Sequence, residues 1–203
     1  MGESTLRYDT FTGGDHAAFA QVLYRCFGQT GDFERNDRWV AMHDPADLRT
    51  LRSGDRLVGT LVMLRMGQVF GGRVVPTLGL AGVGVEPDVR GRGVARTMLE
   101  SFLREARERE YPLSTLYPST YAFYRGLGYE RAGSRWSLEV EPERLARPRG
   151  EGVETRPAAP SDEPVLRELW NRFAALHPGQ LARNDYLELR ARGPEGKEAH
   201  AAR

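Results

Sequence analysis

Residues 78–96 read Leu78-Gly79-Leu80-Ala81-Gly82-Val83-Gly84-Val85-Glu86-Pro87-Asp88-Val89-Arg90-Gly91-Arg92-Gly93-Val94-Ala95-Arg96. The apolar run ending at Glu86-Pro87 has the length and composition of a strand. Three glycines weaken it as an ordinary one, and they predict close approach by another backbone or a ligand. Gly91 and Gly93 then let the chain bend so that several N–H groups point into one concavity. A helix follows over 94–109, with Val94, Met98, Leu99, Phe102, Leu103 and Ala106 as its apolar stripe. Free N–H groups at the start of a helix, joined to the positive end of its dipole, suit a phosphate. Arg90, Arg92 and Arg96 add charge around that point. A dinucleotide fold does not fit, because Gly82-x-Gly84 would need a small residue at Pro87 and these glycines lie in the strand. No G-x-x-x-x-G-K-[ST] sequence is present, so nucleotide hydrolysis has no support.

Downstream, 113–117 reads as a short strand, 119–127 as a short helix ended by Gly128, and 134–140 as a strand with Trp136, Leu138 and Val140 on one face. Upstream, a hairpin joins strands at 48–52 and 56–66 through Ser53-Gly54-Asp55, and Gly71-Gly72 forms a further turn. At the start, a strand at 5–8 precedes a helix N-capped by Asp15 and closed by Gly28. Phe19, Val22, Leu23, Cys26 and Phe27 form its apolar face. Residues 29–47 read as a loop with short helical pieces. Hairpin-linked strands followed by a βαβ unit give an α+β fold with a mixed sheet. After Val140 the composition turns to Pro, Gly and charge, as in a linker. A helix then opens at Ser161-Asp162-Glu163-Pro164, with Leu166, Leu169, Trp170 and Phe173 on its apolar face.

The 203 residues exceed one domain of ~150 without filling two. Twenty-nine basic residues against 28 acidic ones leave a net charge of +1, which argues against a nucleic-acid partner. Lone Cys26 excludes a disulfide framework and a cysteine-built metal site, and no metal is expected. The apolar runs fall far short of the ~20 residues that span a bilayer. A soluble, cytoplasmic protein with no membrane partner is the expectation. His16, His43, His177 and His200 show no ligand spacing and are expected at the surface.

Val85-x-Pro87-x-x-Arg90-Gly91-Arg92-Gly93-Val94-Ala95 resembles the acetyl-CoA signature of the GCN5-related N-acetyltransferases (GNAT), carried here by Arg90, Gly93 and Ala95. Phe123-Tyr124-Arg125-Gly126-Leu127-Gly128-Tyr129 resembles a second landmark of that superfamily. With the segment before the signature and Tyr117-x-Ser119 after it, the sequence is similar to the enhanced intracellular survival (Eis) family. Its members acetylate amines such as those of aminoglycosides. The resemblance implies a GNAT fold with a splayed, mostly antiparallel sheet and flanking helices. It implies a catalytic domain over 1–145, a linker over 146–160, and in 161–203 the opening of a second GNAT-like domain, as if a three-domain protein were cut inside its second domain. That last segment is expected to be loosely docked.

The resemblance also implies roles. Acetyl-CoA is the implied acetyl donor, and a small-molecule or peptide amine the acceptor. Strand 78–85 would part from 113–117, and the pantetheine arm would lie in the gap and pair with backbone groups of Val83 and Val85, beside Gly84. Amides of Gly91, Arg92, Gly93, Val94, Ala95 and Arg96 would take the pyrophosphate, with Arg90 beside them and with Ser119 and Thr120 as further contacts. Thr120 stands where the family commonly has an acidic residue. Tyr124 holds the position of the general acid. The resembled family takes its base from its own C-terminal carboxylate; Glu86 and His43 are the alternatives here. Trp39 and Asp32 either line the acceptor cavity or pack the loop. Family members assemble into symmetric oligomers, so a homo-oligomer is possible. The alternative function is a non-catalytic acyl-CoA-binding or assembly module.

Overall fold

The computed structural model describes residues 5–27, 33–134, 136–144 and 156–191. Their strands are β1 (Leu6–Thr10), β2 (Leu48–Ser53), β3 (Arg56–Phe70), β4 (Arg73–Val85), β5 (Leu113–Leu116) and β6 (Leu181–Ala182). The helices are α1 (His16–Cys26), α2 (Phe33–Ala41), α3 (Val94–Glu108), α4 (Tyr121–Arg125), α5 (Glu163–Leu176) and α6 (Asp185–Ala191). The sheet runs β1-β2-β3-β4-β5, antiparallel except for the parallel β4–β5 pair. It is the expected α+β fold with a mostly antiparallel sheet and flanking helices.

Each face of the sheet has its own core. On one, Phe19, Ala20, Val22 and Leu23 of α1 and Val40 of α2 close on Leu48, Leu57 and Val62. On the other, Val94, Met98, Leu99, Phe102 and Ala106 of α3 close on Leu51, Val58, Leu61, Met63, Leu78, Leu80 and Val85. The helical stripe read at 94–109 is therefore the buried one, with Leu103 packed at its margin. Met98, Leu99 and Phe102 are fully buried, each worth about 1.5–3 kcal/mol relative to exposure. Of the ion pairs that the spacing on α3 allows, Arg96–Glu100 forms at 2.9 Å.

Several expectations change. Residues 33–41 are a helix rather than a loop: Asn36 and Val40 are buried and Trp39 half-buried, at the spacing of a single helical face. Asp15 does precede α1, but its carboxylate accepts hydrogen bonds from the N–H and hydroxyl of Thr12 and pairs with Arg52 instead of capping the helix. Phe27 is half exposed, and Gly28 and Asp32 lie outside the described residues. Residues 136–140 form no strand, and Trp136 and Leu138 stand in solvent at 88% and 86% exposure. Alternation alone does not make a strand; those backbone groups need a partner edge.

Residues 156–191 are docked on the sheet. β3 outruns β2, whose pairing ends at Leu48–Val62, and the freed edge of β3 takes β6 at Gly67–Ala182 and Gln68–Leu181. The Val69 N–H donates to the Gln180 carbonyl at 2.8 Å, and the Gly179 N–H donates to the Val69 carbonyl at 2.7 Å. Trp170 of α5 donates from its indole N–H to the Leu181 carbonyl, while Leu166, Leu169 and Phe173 of the same helix remain exposed. No helix among the described residues is long and apolar enough to cross a membrane.

Candidate functional site

The site begins with an irregularity in β4. Thr60 faces Gly84 and Val62 faces Ala81, so β4 carries one residue more than β3 across this interval. Such a bulge bends a strand and re-aims its backbone. Gly82 supplies the bend at φ +56°. Its carbonyl accepts a 3.0 Å hydrogen bond from the hydroxyl of fully buried Thr60. The indole of Trp39 lies over it, so close that a Cβ at 82 would fall 2.9 Å from a ring carbon. The glycines of this strand do mark close approaches, as expected, but by the protein's own side chains: Met66 at Gly79, Trp39 at Gly82, and Thr60 with Cys26 at Gly84.

On the other edge, β4 and β5 pair from Thr77–Leu113 to Leu80–Leu116 and then part. Residues 81–85 thus have no ladder partner on β5, and Gly82 and Val83 have none on β3 either. The carbonyl of Val85 accepts from Arg90 Nε at 2.9 Å and from Cys26 Sγ at 3.1 Å. Gly82 and Val83 are thus the positions at the parting with a ladder partner on neither neighbouring strand.

Beyond Val85, Gly91 and Gly93 take left-handed φ values of +76° and +78° and turn the chain into α3. The N–H groups of Val94, Ala95 and Arg96 fall in the first helical turn, where none has an intrahelical acceptor. Arg92 is exposed beside this turn. Arg90 folds back onto Val85, and Arg96 donates to the Gly126 carbonyl at 3.2 Å, tying the start of α3 to the end of α4. Ser119 and Thr120 are exposed just ahead of α4, and the Thr120 side chain makes no cap hydrogen bond.

Tyr124 projects from α4 into the core of the α3 face, which also holds Val83 at its margin. It is buried, with Phe123 and Tyr129 edge-on at 5.1 and 6.0 Å. Burial pushes its hydroxyl pKa up, which keeps it neutral and able to donate. Tyr129 bonds Ser114 at 2.7 Å, a packing role, and Tyr121 is exposed.

The candidate bases are both engaged. Glu86 is buried and accepts two bonds of 3.0 and 3.1 Å from Arg25 Nε. His43 is buried rather than at the surface, between Trp39 and Tyr186 of α6. That enclosure was not legible locally, although Asn36, Trp39, Val40 and His43 fall at helical spacing and carry the signal for α2. Of the other histidines, His16 pairs with Asp37, His177 stacks on Phe173, and His200 lies outside the described residues. No group of three or more His, Cys, Asp or Glu among the described residues is placed to hold a metal ion. Cys26 is half-buried, and burial raises its thiol pKa, as suits a packing residue.

A parted strand pair, a bulge and a glycine turn into a helix follow one another here, and the acetyltransferase (GNAT) domain model matches residues 7–132. The chain belongs to the GNAT acetyltransferase family. A GCN5-related N-acetyltransferase from Anabaena variabilis ATCC 29413 is 29% identical, with a TM-score of 0.71 over 89% of this chain and 46% of its own. Eis1 from Mycobacterium abscessus shares the fold at 20% identity and a TM-score of 0.72, over 92% of this chain and 47% of its own. A predicted acetyltransferase from Clostridium acetobutylicum, solved with acetyl-CoA, shares it at 16% identity and a TM-score of 0.55, over 66% of this chain and 96% of its own. This GNAT chain spans about half the length of the first two. No curated protein matches the sequence.

Proposed function

We propose that the chain is an acetyl-CoA-dependent N-acetyltransferase of Eis-like type, moving an acetyl group to a primary amine by direct attack. The observation that carries this reading is the parting of β4 and β5 beyond Leu80–Leu116, with the bulge at Gly82–Val83 on its wall and the Gly91–Gly93 turn at its end. An extended amide arm fits beside residues 81–85, pairing with Val83 as an added strand. Gly84 lets Cys26 and Thr60 close behind that strand. The amides at 91–96 take the pyrophosphate through the helix N-terminus. Arg92 adds charge there, while Arg90 and Arg96 act mainly by fixing the turn. Ser119 and Thr120 stand free to meet the donor from the far wall.

Acetyl-CoA supplies an activated thioester, so no covalent enzyme intermediate is required. The neutral amine attacks the thioester carbonyl, which the Val83 N–H polarises. As the C–S bond breaks Tyr124 donates its proton to the departing sulfur, and the proton shed by the amine nitrogen passes to solvent, from which Tyr124 is reprotonated. The acceptor is an aminoglycoside-like, polyamine or peptide amine. The same reading keeps 1–145 as the catalytic domain, 146–160 as linker and 161–203 as a segment like the start of a second GNAT-like domain. A cytoplasmic setting and a homo-oligomer go with it.

Calorimetry of the whole chain with acetyl-CoA, followed by thiol release with spermidine or kanamycin, tests it. Binding with amine-dependent release is expected. A second reading, a non-catalytic acyl-CoA-binding module, draws on the engagement of Glu86 by Arg25 and of His43 by Trp39 and Tyr186. Binding without release would favour it, and no binding overturns both.

A further inference from the structure

Trp39, His43 and Tyr186 form a continuous aromatic stack that links the C-terminal segment to the bulge. The rings of Trp39 and His43 meet edge-on with centroids 4.5 Å apart, and those of His43 and Tyr186 at 4.8 Å. Trp39 covers Gly82, one residue from Val83, which has no ladder partner on either neighbouring strand. Trp39 is half-buried and packs against the core that α1 and α2 form on the sheet.

The far end of the stack is firmly seated. Asn184 Nδ2 donates to the Arg65 carbonyl of β3 at 2.7 Å, while its Oδ1 accepts from the Leu187 N–H at 2.9 Å and so starts α6. Leu187 is buried. The guanidinium of the same Arg65 reaches Asp47 and Asp44, in the turn that follows His43. The seat of Tyr186 and the loop carrying His43 are thus fixed to one residue of β3.

We infer that Tyr186 is a positioning residue for the acceptor side of the site: through His43 it holds Trp39 against the Gly82 bulge, so that the segment after 156 sets the amine-facing wall. This rests on the acetyl-transfer reading, because the bulge is the acceptor's neighbour only if the thioester lies beside Val83. Tyr186 touches neither substrate; it acts through two rings.

The experiment labels the three tryptophans with fluorotryptophan and follows them by fluorine NMR. The Trp39 resonance is assigned by its loss in Trp39→Phe. Tyr186→Leu keeps apolar bulk but removes the ring, and should shift or broaden the Trp39 signal while leaving exposed Trp136 unmoved. Tyr186→Phe should restore the signal. In the thiol-release assay, Tyr186→Leu should raise the KM for spermidine or kanamycin about three- to tenfold, the range of one lost aromatic pair, and leave the KM for acetyl-CoA unchanged. An unmoved Trp39 resonance in Tyr186→Leu overturns the inference whatever the kinetics. Equal rises in both KM values overturn it as well, since general loosening of the fold gives that result. If the wild-type chain shows no turnover, the acetyl-transfer reading is what fails. The acceptor side is then read by titrating the Trp39 signal with amine in the presence of CoA, and a silent wild-type signal overturns the role.

Discussion

Thr60 donates its hydroxyl hydrogen to the carbonyl of Gly82 at 3.0 Å, across the one place where β3 and β4 lose register. The bond satisfies a carbonyl that the bulge has taken out of the ladder, and Thr60 is fully buried, so no water can replace it. Thr60→Val keeps the shape and removes the donor. A loss of about 1–3 kcal/mol is expected in denaturant unfolding, the cost of an unsatisfied buried acceptor. Acetyl-CoA affinity should fall with it. Unchanged stability would mean that the bulge is held by packing alone.

Gly82→Ala tests the same bulge from the other face. The new Cβ would meet Trp39 at 2.9 Å, on a backbone at φ +56°. The left-handed strain alone costs on the order of 1–3 kcal/mol. The variant should unfold earlier than wild type and show a changed Trp39 environment. Gly71→Ala is the control, since it also has a positive φ but nothing within 4 Å.

Tyr124→Phe should lower turnover by about 10²- to 10⁴-fold, the usual contribution of a general acid. It should leave the calorimetric affinity for acetyl-CoA nearly unchanged. Burial raises the Tyr124 pKa, so the donor form persists to higher pH than for a free phenol, near ~10. The wild-type rate should therefore hold through neutral pH and fall only when the pH passes that raised value. A rate unaffected by the substitution removes Tyr124 from the role.

The strand, glycine turn and helix over 78–108 were legible because each signal is local: an apolar run, two glycines, a stripe of period 3.6. The same holds for the hairpins. The bulge was not legible, since one extra residue in β4 shows only against its pairing with Thr60 and Val62. The glycine pattern signalled a close approach without naming Trp39. Helix α2 was hidden by its polar composition, and the burial of His43 depends on Tyr186, far along the chain. The alternation at 134–140 was real, but the described structure gives it no edge to pair with. Leu166, Leu169, Trp170 and Phe173 were read as one apolar face; Trp170 alone of these bonds to β6, through which the segment docks, and Leu166, Leu169 and Phe173 are left exposed.

Stability at high pH is set by tyrosines. Burial raises the pKa of Tyr8, Tyr124 and Tyr129 above the ordinary phenol value, and for Tyr8 the hydrogen bond to Glu105 adds to it. The folded state therefore holds protons that the unfolded chain releases at ~10. Stability is undiminished below that pH and declines as the pH rises beyond it. Alkaline unfolding should begin above ~10, and Tyr8→Phe should blunt it. A pH-unfolding curve of that variant superimposable on wild type would count against the assignment.

Glu105 contributes to the acid limb. Burial by itself would raise its carboxyl pKa, but hydrogen bonds from Arg49 and Tyr8 carry it below the usual value. Arg49 Nε reaches it at 2.9 Å and the Tyr8 hydroxyl at 2.8 Å, while Arg109 pairs with it from the C-cap of α3. This contribution is present above the ordinary carboxylate range and is lost as the pH falls through the lowered folded value. Glu105→Gln would leave the Arg49 guanidinium, only 3% exposed, without its counter-charge. Breaking such a pair costs about 3–5 kcal/mol, partly offset here by the carbonyls of Ala46 and Leu48 that Arg49 also donates to. The variant should be destabilised at neutral pH, with a flatter dependence of stability on pH in the acid range. Equal acid slopes in the two proteins would show that the proton is taken up elsewhere.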